Sequence, residues 1–274
     1  MSREMKKARV IAVANQKGGV GKTTTVINLA HWFALHGRRV LVLDLDGQGH
    51  IAPGLRLPGG DHLYRFLVHE EEVSNVTVKA RENLDIIPND HTGELAKEHV
   101  KQANFREYIL DTALEEARER YDLIFLDTPP GADVLHVLAL VASDFLIVPA
   151  NMDFYALNGV GQILKTVRNL KRYPGVTPPV LVGVLPTLFD KLTNETLNNL
   201  QSLQQSLGEN YILPPIPRDT RLREASSHGQ TIWEYAPACQ GASGYPGNGE
   251  KQCNSSGKVG GYLHIAEILH DIVR

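Results

Sequence analysis

The chain has 274 residues, with 28 Lys and Arg against 31 Asp and Glu, and its net charge of −3 excludes a uniformly basic nucleic-acid coat. A hydrophobic fraction of 42% beside 22% charged residues describes a globular protein able to bury a substantial core, and excludes disorder of the whole chain. With no run of about 18 apolar residues and only two cysteines, the expectation is a soluble protein of the reducing cytoplasm, folded as one domain over residues 1–274.

The charged start, residues 1–7, carries no cleavage signal and leads into an apolar run at 9–14. Further runs of strand length follow at 39–45, 84–88, 123–127, 145–149, 180–185 and 211–214. They are continuous rather than alternating, the pattern of strands covered by helices on both faces. Helical stretches lie between them, at about 22–36, closed by Gly37, and as a charged amphipathic stretch at about 105–120. The repeated strand–helix–strand order predicts an α/β fold, doubly wound, its mostly parallel sheet flanked by helices. Residues 240–261 hold seven of the chain's 24 glycines and read as a mobile surface loop, an insertion before the last helix. Residues 262–273 then place Leu263, Ala266, Ile268 or Leu269, and Ile272 near helical spacing, so a terminal helix returns to the domain.

The strongest chemical signal is QKGGVGKTT at residues 16–24, between the first predicted strand and the first predicted helix. That is the context of a phosphate-binding loop, formed here by Gly18, Gly19, Val20, Gly21, Lys22, Thr23 and Thr24. Its glycines let backbone N–H groups approach a phosphate, and the helix dipole points at the same place. Lys22 would reach the β- and γ-phosphates of a nucleotide and the Thr23 hydroxyl would ligate Mg²⁺. The next strand ends in VLVLDLDGQG, where Asp44 and Asp46 share one side of an extended segment. A third strand, in YDLIFLDTPPG, ends in Asp127, which fits the role of holding Mg²⁺ directly or through water. Three such strand ends converge on the edge where open α/β folds bind ligands.

The general loop has Gly where this chain has Gln16, followed by Lys17. KGGVGKTT, with its additional lysine, resembles the deviant Walker A loop of the ParA/MinD superfamily of P-loop ATPases. The DLDGQ run resembles that family's switch I, with Gly47 in place of the usual Pro, and residues 128–131 resemble its switch II. FLIVPANMDFYALNG and IPRDTRLREASSHG resemble two further segments, so the likeness covers nearly the whole chain. The resemblance implies that Lys17 crosses a dimer interface to the partner's nucleotide and that Asp46 positions the attacking water. It also makes Pro217, Arg218 and Asp219 candidates for contacts to the base.

The same resemblance implies an ATPase that dimerises on ATP, binds DNA without sequence preference and is released by an adaptor of the ParB or cargo type that stimulates hydrolysis. The cytoplasmic protein would then be nucleoid-associated. Its cargo would be a plasmid, a chromosome or a protein organelle. Candidate DNA contacts are Arg168, Lys171 and Arg172 at one helix end and Lys191, Arg218, Arg221 and Arg223 further on. The family's D-x-R-T appears here as FDKLT, with Lys191 one position early and Leu192 in the Arg place. Without an N-terminal helix-turn-helix, specific operator binding is not expected. The alternatives are a MinD-like membrane-associated ATPase, an iron–sulfur or metal-delivery protein, and a biosynthetic P-loop ligase. The first wants a basic terminal helix, whereas LHIAEILHDIVR is balanced in charge, so no stable membrane association is expected. The second wants paired thiolates, whereas Cys239 and Cys253 form no CxxC. The insertion at 240–261 is expected to serve a partner or dimer contact.

Overall fold

Val10, Ile11, Ala12 and Val13 have no exposed surface, and neither have Leu41 and Leu43 or Ile124, Phe125 and Leu126, because these strands lie at the centre of a sheet with both faces covered. The computed structural model describes residues 7–246 and 253–274. The start of the chain and the middle of the Gly-rich stretch, about which the sequence also made expectations, lie outside the described residues.

Seven strands form the main sheet: β1 (Arg9–Val13), β2 (Val40–Asp44), β3 (Val78–Arg81), β4 (Leu84–Ile87), β5 (Leu123–Asp127), β6 (Phe145–Asn151) and β7 (Val180–Thr187). Their order is β3-β4-β2-β5-β1-β6-β7, and every neighbouring pair is parallel except β3 with β4. The chain passes from β1 to β2 on one side and later reaches β6 on the other. The topological switch therefore falls beside β1, and a ligand crevice opens outside its C-terminal end.

The helices that matter below are α1 (Lys22–Leu35), α2 (Gly93–Gln102), α3 (Val134–Val141), α4 (Ala156–Leu170), α5 (Asn194–Leu207), α6 (Thr220–Ser227), α7 (Gln240–Ser243) and α8 (Gly261–Ile272). On one face of the sheet α1 is buried nearly all round, with Phe33 against Phe125 at a ring separation of 6.1 Å. The expected terminal helix, α8, lies over α1 and buries Tyr262, Ile265, Ala266 and Leu269. Its Tyr262 hydroxyl meets the Thr25 hydroxyl at 3.1 Å inside the core. The buried face is offset from the expected one: Ala266 is buried, Leu263 and Ile268 are half-buried, and Ile272 is exposed. Among the described residues no helix is long and apolar enough to cross a membrane.

Four local expectations need correction. The edge strand β3 was not anticipated, because VKAR is short and charged, the composition that keeps an exposed edge from pairing with another chain. Residues 211–214 do not form a strand: they follow β7 through a bridge at Ile212 and the bond Leu213 N–H to Val184 carbonyl. Pro214, Pro215 and Pro217 have no amide to extend that ladder. The helix expected at 105–120 is broken into turns at Arg106–Tyr108, Ile109–Ala113 and Glu115–Arg120, following Phe105 at φ 51°. Finally, the Gly-rich stretch does not start as a loose loop, since 240–243 is the helical turn α7 with Gly241, Ala242 and Ser243 buried.

Phe33 fills the space between α1 and β5 and is fully buried. Phe33→Ala is expected to lower stability in urea unfolding by about 3–5 kcal/mol, and a loss under about 1 kcal/mol would mean that this layer repacks without a cavity.

Candidate nucleotide site

The register of the three central strands builds the acidic side of the site. Asp44 stands opposite Asp127 across β2 and β5, and Asp127 stands opposite Val13 across β5 and β1. Two carboxylates and the start of the glycine loop thus reach the same sheet edge. Beyond Val13 the chain is held by neighbours on both sides. Asn15, 2% exposed, donates to the Pro149 carbonyl at 2.7 Å and accepts from the Lys17 N–H at 3.0 Å. The Gly131 N–H bonds the Gln16 carbonyl at 2.7 Å, and the Thr187 hydroxyl bonds the Val20 carbonyl at 2.8 Å. The loop is therefore anchored from the ends of β5, β6 and β7. Gly21 caps α1 in the left-handed region at φ 84°, a conformation that side-chain-bearing residues rarely adopt. The turn leads directly into the N-terminus of α1, whose first amides have no intrahelical partner.

Lys22 is 7% exposed, and its ammonium donates to the Lys17 carbonyl at 3.2 Å. Burial pushes its pKa down, against the opposing pull of Asp127 and Asp46. A desolvated cation facing carboxylates and a ring of amides is what a polyphosphate would meet.

The acids divide by their partners. Asp44 is buried and fully used: it accepts from the Asp46 and Ile51 amides, both at 3.1 Å, and so fixes the turn after β2. Asp46 is half-buried and, among the described residues, its carboxylate accepts only from the Gln48 amide, at 3.0 Å. Asp127 is 1% exposed, and among the described residues neither carboxylate oxygen has an aligned hydrogen-bond partner. The Thr23 hydroxyl is near enough to hold its pKa down somewhat, but burial dominates and pushes it up. Asp44 is raised likewise, by burial first and by Asp127 second. A buried carboxylate with two unsatisfied oxygens beside a threonine hydroxyl fits a divalent cation, which would be held by Thr23 and Asp127.

Lys17 does not project freely. It is ion-paired with Asp153, and its ammonium sits 5.7 Å from the ring of Tyr155. At the other end of the site, Pro217 and Arg218 line a recess with Phe189, to which Arg218 is tied by an N–H to carbonyl bond of 2.9 Å. Asp219, expected with them, is turned away. Its carboxylate caps α6 through the Arg221 amide at 3.1 Å and takes the Gly241 amide at 3.0 Å. Sequence reasoning missed Asn15, Asp153 and Thr187. A polar residue immediately after an apolar strand was the one available signal for Asn15. It also missed His136 on α3, a buried imidazole whose pKa burial pushes down to about 4. Cys239 is buried with its thiol pushed up to about 11, which disfavours a thiolate ligand.

The parallel sheet, the anchored glycine loop and the acidic strand ends define a P-loop nucleotide hydrolase. A family described as an AAA domain matches residues 8–177. The sporulation initiation inhibitor protein Soj of Bacillus subtilis is 38% identical over 244 residues, 86% of this chain and 95% of that protein. The chromosome-partitioning ATPase Soj of Thermus thermophilus is 39% identical over 242 residues, 87% of this chain and 93% of that one. An ATP complex of Cyanothece McdA has the same fold at a TM-score of 0.77 and 22% identity, covering 84% of this chain and 91% of that chain. A cobyrinic acid a,c-diamide synthase from Mycobacterium smegmatis, with an ATP analogue and magnesium, superposes at a TM-score of 0.72 with 33% identity, over 83% and 96% of the two chains. The chain belongs to the ParA/Soj family of partition ATPases.

An unsatisfied buried carboxylate destabilises the fold that carries it. Because its pKa is raised on folding from the ordinary 3.8, the penalty grows as pH climbs out of the ordinary carboxylate range and through the raised value. Asp127→Asn is therefore expected to stabilise the nucleotide-free protein at pH 8 by about 1–3 kcal/mol, with the difference fading toward pH 4, while weakening Mg²⁺-dependent ATP binding. Equal urea stability of the two proteins at pH 8 would contradict this.

Proposed function

We propose that this ATPase forms an ATP-bound dimer, holds DNA without sequence preference in that state, and lets go when an adaptor stimulates hydrolysis, so that a cargo is segregated or spaced along the nucleoid. The observation that carries the reading is the placing of Lys17. It stands on the rim of the loop, a third exposed, beside the aromatic pair Phe154 and Tyr155, which are 76% and 61% exposed. An exposed cation and an exposed apolar pair next to a nucleotide site suit coverage by a second copy. On that reading Lys17 exchanges its own Asp153 for the partner's phosphates.

In hydrolysis Lys22 neutralises β- and γ-phosphate charge, while the loop amides of residues 18–24 hold the phosphate oxygens. Thr23 and Asp127 would hold Mg²⁺, which would supply Lewis-acid neutralisation of phosphate charge there. Asp46, with one carboxylate oxygen unused by the turn, orients the attacking water. Asp44 acts through the backbone, fixing the turn that carries Asp46.

The basic residues fall at two places. Arg168, Lys171 and Arg172 lie at the end of α4, which runs from the site edge back toward the opposite edge of the sheet. Lys191, Arg218, Arg221 and Arg223 stay on the site side, and among the described residues only Arg221 of these seven makes an ion pair, with Asp219 at 4.0 Å. Cations left unneutralised beside the nucleotide suit a DNA surface that responds to ATP. Binding of non-specific duplex to the purified protein with ATP, ADP or neither tests the reading. The expected result is binding with ATP and Mg²⁺ only, lost in Lys17→Ala, and weakened at least tenfold between about 50 and 200 mM salt. ATP hydrolysis with no DNA binding in any state would overturn it and favour the small-molecule chemistry that the Mycobacterium protein's name carries.

A further inference from the structure

The chain just after α7 and the chain just before α8 lie side by side. Gly244 has φ 85°, and a Cβ placed on it would fall 2.5 Å from the Gly260 carbonyl oxygen. On Gly261 a Cβ would fall 2.3 Å from the Gly244 nitrogen. The two ends thus touch backbone to backbone, which only glycine permits. The returning arm is stapled by Asn254, whose amide donates to the Ser243 carbonyl at 3.0 Å and whose carbonyl oxygen accepts from the Ser256 and Lys258 amides, both at 3.0 Å. The Lys258 ammonium adds a bond to the Ser243 hydroxyl at 2.8 Å. Residues Tyr245–Pro246 and Lys258–Val259 pair as a short antiparallel ladder, β8 and β9.

This pair of arms leans on the loop that precedes α6. The Gly261 N–H donates to the Pro215 carbonyl at 3.0 Å, and a Cβ at Gly260 would clash with that carbonyl at 2.2 Å while lying in ordinary contact, 3.6 Å, with the Tyr245 ring. Tyr245 is thereby carried into the wall of the recess at the base side. The recess, about 210 Å³, is lined by Phe189, Lys191, Pro217, Arg218, Gln240 and Tyr245 among others. Phe189 and Pro217 are buried and apolar, Tyr245 is half-buried, and the Lys191 ammonium stands 5.1 Å from the Tyr245 ring. Phe189 is two residues beyond Thr187, which bonds the glycine loop. Leu188 between them turns at φ 50°, and two residues span at most about 7 Å, within the reach of a ribose and its phosphate. Apolar and aromatic walls with amide, guanidinium and ammonium heads at the rim suit a planar heteroaromatic ring whose edge makes hydrogen bonds.

We propose that Tyr245, on the arm that leaves α7, completes the base-binding end of the nucleotide site by packing against the purine of ATP or ADP. The inference rests on the reading of Pro217 and Arg218 as base-side residues. It assigns to Tyr245 a role in nucleotide recognition.

Calorimetric titration of the full chain with Mg²⁺-ATP and, separately, with Mg²⁺-tripolyphosphate, which has the phosphates and no base, tests it. Tyr245→Ala is expected to weaken ATP about tenfold, in the range of aromatic stacking on a base, and to leave tripolyphosphate unchanged. Tyr245→Phe, which keeps the ring, is expected to bind ATP within about twofold of the unaltered chain. ATP affinity unchanged in Tyr245→Ala would overturn the proposal, and so would an equal loss for both ligands, which would mark Tyr245 as a support of the fold. Failure of the unaltered chain to bind either ligand would instead overturn the phosphate-loop assignment itself.

Discussion

The structure depends on one constraint: two carboxyl groups are buried at a sheet edge beside one desolvated ammonium, Lys22, that is hydrogen-bonded elsewhere. The parallel register of β1, β2 and β5 leaves no choice about it, because Asp44 and Asp127 are the last residues of neighbouring strands and face each other across the ladder. Asp44 is stabilised by two amides of the turn it organises. Asp127 has no such partner, and the ammonium of Lys22 is bound to a backbone carbonyl. Charges arranged so are costly in the resting chain and favourable once a metal-bound triphosphate lies between them. The energy is stored where the reaction needs it, as strained or unsatisfied groups at functional sites commonly are.

Rigidity is distributed to match. The glycine loop has anchors from three strand ends, through Asn15, Gly131 and Thr187, so the phosphate cradle is formed before ligand arrives. The segment after β2 is held less firmly. Gly47 puts no side chain on it, and among the described residues the Asp46 carboxylate makes one bond, to the Gln48 amide. Some constraint comes back from α2, whose Glu94 side chain would lie 3.2 Å from a Cβ at Gly47, and from Asn89, which bonds the Asp46 carbonyl at 3.1 Å. Lys17 belongs to neither group: it is held by an ion pair and an aromatic ring at the surface, contacts that a competing anion can displace.

The fold class and the phosphate loop were legible because both are local patterns, a continuous apolar run or fixed spacing of glycine, lysine and threonine. What escaped sequence reasoning depends on distant partners. Asn15 meets Pro149 and Lys17 meets Asp153 across more than a hundred residues, and no periodicity announces either pairing. Asp219 was grouped with Pro217 and Arg218 by adjacency, but one residue along the chain turns a side chain from the recess to the cap of α6. The glycines at 244, 260 and 261 read as looseness in composition, whereas in the fold they allow backbone segments to touch. Charge hid β3 and proline broke 211–214, two cases where edge chemistry overrode the apolar pattern.

The central claim is that nucleotide at the glycine loop draws Lys17 away from its own chain. A crystal structure with Mg²⁺ and a non-hydrolysable ATP analogue tests it most directly. The account predicts a two-fold dimer in which Mg²⁺ lies about 2.1 Å from the Thr23 hydroxyl, Asp127 holds it directly or through water, and Lys17 has left Asp153 for the phosphates of the partner subunit. A monomer with nucleotide bound and Lys17 still paired to Asp153 would contradict it.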